Sequence, residues 1–285
     1  HLGQEEMSDQ TRNRLGEVMM IVKRSGITYL LAAIYILIFS IGAQAGERIV
    51  IAGDPCTIPL AKKLGEAFTK KTGTMVDYEQ GLCRSGISKV IDGKADIGLS
   101  TFNFSKGQLH DTLTRTVVGK APIVMVANKS NPVADLSKSQ VHDILMGKIR
   151  NWRELGGKDL EIKNVMLPPC VVETMTHQTE SYGGTANLNK MAMPGNPMVN
   201  TNLLVAQNEG AIGMQLYGHD DESVKVLRIN GVLPDAASLS RYGYYEDYNI
   251  ITSGHVSSSV KAFLDFARSD EGKRIMVAMK HVPGE

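Results

Sequence analysis

Gly81-Leu-Cys-Arg-Ser-Gly-Ile-Ser-Lys-Val-Ile-Asp-Gly-Lys-Ala-Asp-Ile-Gly-Leu-Ser100 is the stretch around which the rest of the chain can be read. Its pattern predicts a tight loop, a short helix and a strand. Ile87, Val90 and Ile91 fall on one helical face, and Gly93 ends the helix. Ala95 to Leu99 reads as a short buried strand running into the polar pair Ser100-Thr101. The first amides of a helix lack partners and the helix dipole makes that end positive, so a small polar loop there is suited to cradle a ligand. This loop carries Cys83 and Arg84.

Upstream, Glu47 to Gly53 reads as a buried strand and Asp54-Pro-Cys-Thr-Ile-Pro59 as the loop after it. Leu60 to Thr69 has helical periodicity, with Leu60, Leu64, Ala67 and Phe68 on one face, and Met75 to Tyr78 begins a second strand. Strand, loop and helix repeated in this order predict an α/β fold with a mainly parallel sheet covered on both faces. In such sheets ligands sit beyond the carboxyl ends of the strands. Cys56 and Cys83 both fall in loops at that edge.

The totals narrow the class. The chain has 285 residues, 42% of them hydrophobic, enough for one two-lobed globular unit. Lys+Arg total 31 against 30 Asp+Glu, which leaves no electrostatic footprint for nucleic acid. Near the start, Lys23 and Arg24 precede an apolar run from Ile27 to Ile41 and then Ala43-Gln44-Ala45. That order predicts an exported protein with a signal peptide cleaved near Ala45, the alternative being an uncleaved membrane anchor. Three cysteines in an exported chain leave either one disulfide and a free thiol or three thiols kept for chemistry.

Beyond the strand Ala121–Asn128, the phrase Ile144-Leu-Met-Gly-Lys-Ile-Arg-Asn-Trp-Arg-Glu-Leu-Gly-Gly157 resembles the opening of the second lobe in the periplasmic phosphate-binding proteins of ABC importers. Asp92-Gly-Lys-Ala-Asp-Ile-Gly98, Glu209-Gly-Ala-Ile-Gly213 and Phe263-Leu-Asp-Phe-Ala-Arg-Ser-Asp-Glu-Gly272 support the likeness, which covers most of residues 48–285. It implies a two-lobed periplasmic binding protein fold with a two-strand hinge crossing near Val124–Asn128 and Tyr244–Ile251. The expected division is a leader over 1–45, lobe I over 46–126, lobe II over 127–245 and a return to lobe I over 246–285. Trp152 is expected to be a packing residue, and Tyr242, Tyr244, Tyr245 and Tyr248 are expected to pack at the hinge.

By the same resemblance, the ligand groups of lobe I map to Cys56, Thr57, Cys83, Arg84, Ser85, Gly86, Asp96, Ser100 and Thr101. In lobe II the family places an arginine and a Ser-Gly-Thr helix start, whereas this chain reads Pro168-Pro-Cys-Val-Val-Glu-Thr-Met-Thr-His177. Cys170 stands there instead. Thiolates suit Cu(I), Zn(II) or trivalent arsenic and suit phosphate poorly, so Cys56, Cys83 and Cys170 predict a soft-metal or arsenite site. Three alternatives stand beside that reading. One is a phosphate- or arsenate-type oxyanion held by Arg84 and loop amides. Another is a Cys56–Cys83 disulfide with Cys170 as packing. The third is a thiol enzyme using Cys83 or Cys170 with His177 as base, although no Cys/His spacing recognisable as a catalytic signature supports it. The irregular spacing of Met175, Met191, Met193, Met198 and Met214 suits core filling better than Cu(I). The expectation is therefore a monomeric binding protein, not an enzyme, with no cofactor and a small inorganic ligand. Its partner would be the membrane subunits of an importer or the periplasmic domain of a sensor kinase.

Overall fold

The computed structural model describes residues 47–81, 85–101, 107, 109–166, 192–194 and 201–284. The leader, Cys83, Arg84, Cys170, His177 and the methionines 175, 191 and 198 lie outside them. Among the described residues no helix is long and apolar enough to cross a membrane.

Strand β1 (Arg48–Gly53) is followed by α1 (Ile58–Thr72), β2 (Met75–Gln80), α2 (Ser85–Ile91) and β3 (Ile97–Ser100). β1 pairs in parallel with both β2 and β3. α1 carries Pro59 in its first turn and ends at Gly73, whose left-handed φ of 79° lets its N–H reach Thr69 O. In α2 the buried positions are Gly86 and Val90, one helical turn apart. Ile91, expected on the buried face, is 54% exposed. The contact is set by Gly86, where a Cβ would stand 2.4 Å from Ala52 O. That close approach rotates the helix so that Val90 faces the sheet and Ile91 does not.

β4 (Leu113–Asn128) is the long element that joins the two halves. Through Pro122 it pairs antiparallel with β11 (Tyr245–Ser253), and from Ile123 onward with β8 (Ala211–Leu216). The exchange of partners at Pro122/Ile123 lies just before the expected crossing. The second half adds β5 (Asp135–Leu136), α3 (Lys138–Leu145), β6 (Lys163–Met166), β7 (Ala192–Pro194), α4 (Thr201–Gln207), β9 (Val224–Val226), β10 (Arg228–Ile229) and the short α5 (Leu239–Tyr242). After β11 come α6 (Ser258–Arg268), α7 (Asp270–Ala278) and β12 (Val282–Pro283), which pairs with β4 at Lys120 and Gly119.

The main sheet therefore runs β2-β1-β3-β11-β4-β8-β6-β7, parallel within each outer half and antiparallel where β11 and β4 cross. "Mainly parallel" holds for the two wings but not for the hinge. Two separate cores follow the same division. One gathers Ile49, Ile51, Leu60, Leu64, Phe68, Ile97, Tyr248, Ile250 and Phe263 under α1, α6 and α7. The other gathers Val124, Val126, Leu136, Ile144, Trp152, Val205, Ile212 and Leu227. Each such buried aliphatic side chain contributes about 1.5–3 kcal/mol. Trp152 is fully buried and donates Nε1–H to Gly210 O at 2.9 Å, a packing residue as the sequence suggested.

Candidate functional site

The carboxyl ends of β1 and β3 and the start of α2 form one edge of lobe I. Period-two alternation divides its side chains between two faces. Ile97 and Leu99 point into the core under α1, so Gly98 and Ser100 face α2. A Cβ on Gly98 would meet Gly86 O at 2.7 Å, which confirms the side.

On the α1 face the loop 54–57 closes on itself. Asp54 Oδ1 accepts the N–H of Cys56 and the N–H of Thr57, each at 2.9 Å, and the Thr57 hydroxyl at 3.1 Å. Thr57 Oγ1 in turn accepts Asp54 N–H at 3.0 Å. Thr57 is fully buried, and Tyr248 donates its hydroxyl to Thr57 O at 2.5 Å. The amides that would meet an anion at the start of α1 are thus occupied by a carboxylate of the same chain. Sequence reasoning passed over Asp54, although an Asp three residues before a Thr at a helix start is a capping pattern that signals it.

This face also collects buried titratable groups. Burial pushes the Asp54 carboxyl up despite its hydrogen bonds to Thr57 and Cys56. Burial, with the charges of Asp54 and Glu246, pushes the Cys56 thiol up to about 12. Burial pulls His219 down, opposed by Asp54 and Asp220, and pulls His281 down to about 4. His281 Nδ1 lies 2.7 Å from Met279 O and its ring meets Tyr248 edge-on, while its buried Nε2 has no partner among the described residues.

On the α2 face the lining is hard and hydrogen-bonding. Ser85 Oγ is buried with no hydrogen-bond partner among the described residues, and Gly86 and Ser100 are buried, while Thr101, just past the end of β3, is half-buried. Ser100 stands beside Asn249 in register, and Asn249 donates Nδ2–H to Ser100 O at 3.0 Å. Asn249 Oδ1 accepts Arg115 Nε–H at 2.6 Å, and the Arg115 guanidinium also meets Asp247. Lys120 Nζ reaches the same carboxylate at 2.6 Å.

Two of the expected ligand residues are placed differently. Asp96 is not at this edge: it precedes β3, and its Oδ2 accepts Val50 N–H at 2.8 Å, so it braces the opposite end of the strand pair. Cys56, expected among the ligand groups, packs half-buried against the lobe II core, where its thiol is pushed up to about 12. Among the described residues no group of three His, Cys, Asp or Glu is placed to hold a metal ion. Cys83, Arg84 and Cys170 lie outside the described residues, so the three-thiol arrangement gains no geometric support.

Comparison with known proteins points the same way. The family model of the PBP superfamily domain matches residues 40–271. The chain is 28% identical over 257 residues to the phosphate-binding protein PstS of Bacillus subtilis strain 168, spanning 84% of this chain and 82% of that one. Among solved structures it is similar to a putative phosphate ABC transporter substrate-binding protein with bound phosphate from Clostridium perfringens. That likeness has a TM-score of 0.76 and 26% identity, and covers 84% of this chain and 100% of the other. An ABC-type phosphate transport receptor from Vibrio cholerae shares the fold, with a TM-score of 0.64 at 24% identity, over 82% of this chain and 99% of that one.

Proposed function

We propose that this chain, which belongs to the PBP superfamily, is the solute-capturing component of an ABC importer and that its ligand is a phosphate-type oxyanion. The observation that carries this is the likeness to a phosphate ABC transporter substrate-binding protein with bound phosphate, which covers 84% of this chain and 100% of that one. The α2 face of lobe I supports it chemically, because Ser85, Gly86, Ser100 and Thr101 are neutral hard donors of the kind an oxyanion needs. The soft-ligand reading is replaced: the relatives are named for phosphate, and the one described cysteine is a half-buried group whose thiol is pushed up to about 12. Binding, not turnover, is the activity. The closing motion uses β4 and β11 as hinge, and the loaded protein presents its two lobes to the importer's membrane subunits. Export fits the Lys23–Ala45 leader pattern.

The test is isothermal titration of the reduced protein with inorganic phosphate, with arsenite as comparison. Saturable heat from phosphate is expected. Phosphate at ~100 times its dissociation constant should also stabilise the fold by about 2.7 kcal/mol. Saturable arsenite binding with no phosphate binding overturns the reading.

A further inference from the structure

The lobe II loop lacks the arginine expected of the family, and the hinge strands carry a cationic ladder on the face where Ser100 lies. Arg115 and Lys120 are five residues apart, and on an unbroken strand they would point to opposite faces. The register shift opposite Tyr248/Asn249 changes that: Arg115 pairs with Ile251, Val117 with Asn249, Gly119 with Tyr248 and Lys120 with Asp247. The extra residue, Val118, is the bulge, and bulges re-aim the side chains that follow. Gly119 suits the site because a Cβ there would lie 2.7 Å from Val282 O of the adjoining β12. Arg115, Val117 and Lys120 therefore share one face with Asp247, Asn249 and Ser100.

That face is open enough for a ligand. Val117 is 38% exposed, and the Arg115 and Asp247 side chains keep 26% and 19% of their surface. Arg115 starts two rows below the site, beside Ile251, which pairs with Gly98. Its side chain runs up the sheet to Asn249, the partner of Ser100, and then to Asp247. The guanidinium therefore sits at or above the Ser100 row, on the lobe I edge where α2 begins. Among the described residues, two cations meet the one carboxylate of Asp247. Asn249 fixes the guanidinium plane through Nε and is itself tied to Ser100 O and Asp247 O, at 3.0 and 2.8 Å.

We infer that Arg115, oriented by Asn249 and Asp247, is a specificity-determining ligand group that supplies the fixed positive charge for the bound oxyanion from the hinge, with Lys120 adding to the same field. This rests on the oxyanion reading above and deepens it, by placing the compensating charge on β4 and not on lobe II. A guanidinium keeps its charge at every working pH and offers a planar fork matched to oxyanion edges. Its position on the crossing strand leaves it in place whether the lobes are open or closed. The charge can then attract the anion before closure.

The experiment is titration of inorganic phosphate into the parent, Arg115→Met, Lys120→Gln and Asp247→Asn, with the thermal midpoint of each ligand-free protein as the fold control. Arg115→Met should weaken phosphate at least ~tenfold. Lys120→Gln should weaken it about threefold. Asp247→Asn, which removes the carboxylate that both cations meet, should hold or tighten phosphate and steepen its salt dependence. A purely structural ladder predicts the reverse: Asp247→Asn would lower stability and never tighten binding. If the parent binds phosphate and Arg115→Met, folded, binds it within twofold, the inference is wrong while the oxyanion reading stands. If the parent itself takes up no phosphate, both fall.

Discussion

The two faces of the lobe I sheet are built from alternate residues of the same strands, yet they treat charge in opposite ways. Under α1, Asp54, Cys56, Tyr248 and His281 are enclosed, and burial pushes each toward its neutral form. Under α2, Arg115, Lys120 and Asp247 are paired and partly open to solvent. Dehydration makes an isolated charge costly, so burial favours the neutral forms on the closed face. The first face holds the hinge together, and the second is the one suited to meet an anion. Substitutions on the first should therefore change stability, and on the second they should change binding.

The largest expected effect is Asp54→Ala. It strands the amides of Cys56 and Thr57 and the Thr57 hydroxyl inside the loop, a loss of about 3 kcal/mol. The thermal midpoint should fall by about 6–12 °C in a chain of this size. Asp54→Asn, which keeps an acceptor oxygen, should lose about half as much. An unchanged midpoint for Asp54→Ala would break the contrast between the faces.

Next is the pH dependence contributed by His281. Burial holds it at about 4 against an ordinary value of 6.5, so below 6.5 the unfolded chain binds a proton that the folded chain refuses. Its contribution is complete above about pH 6.5 and is lost as pH falls toward 4, by about 3 kcal/mol in all. His219, also lowered, adds the same sign, and Asp54, raised, runs against both at the acid end. Urea unfolding of the parent and of His281→Leu between pH 7 and 4.5 should show a flatter profile for the variant. Parallel profiles would remove His281 from the account.

Tyr248→Phe deletes only the hydroxyl donated to Thr57 O and should lower stability by about 1 kcal/mol, leaving phosphate affinity unchanged. Smallest on the stability scale is Lys120→Gln on the open face, within about 0.5 kcal/mol by urea unfolding, although phosphate binding weakens. A stability loss at Lys120 as large as that at Tyr248 would blur the distinction between the faces.

Much of the frame was legible in local pattern. Strand, loop and helix order over 47–100 predicted the parallel wing, and Leu60, Leu64 and Phe68 are all in the core beneath α1. The phrase around Trp152 marked the second lobe. The aromatic cluster at the return crossing proved to be packing, with Tyr242 against Tyr244 at 5.8 Å and Tyr248 fully buried. The ligand list fared less evenly. Ser85, Gly86, Ser100 and Thr101 do gather at one edge, but Asp96 braces the far end and Thr57 turns inward. The placement of Asp96 was not legible because a strand of four residues has two ends, and a motif does not say which end its carboxylate faces.

What the sequence determined by itself is whatever depends on neighbours a few residues away: helix faces, strand periods, a capping aspartate and the loops that end β1 and β3. What only the tertiary structure decided is the pairing of Arg115 with Asn249, 134 residues along the chain, and the one-residue bulge that turns Lys120 onto the same carboxylate. It also decided that Cys56 would pack, half-buried, against the other lobe. Local propensity is a property of the segment, but charge, protonation and the face a strand residue presents depend on register and burial. Those are set only when distant strands meet.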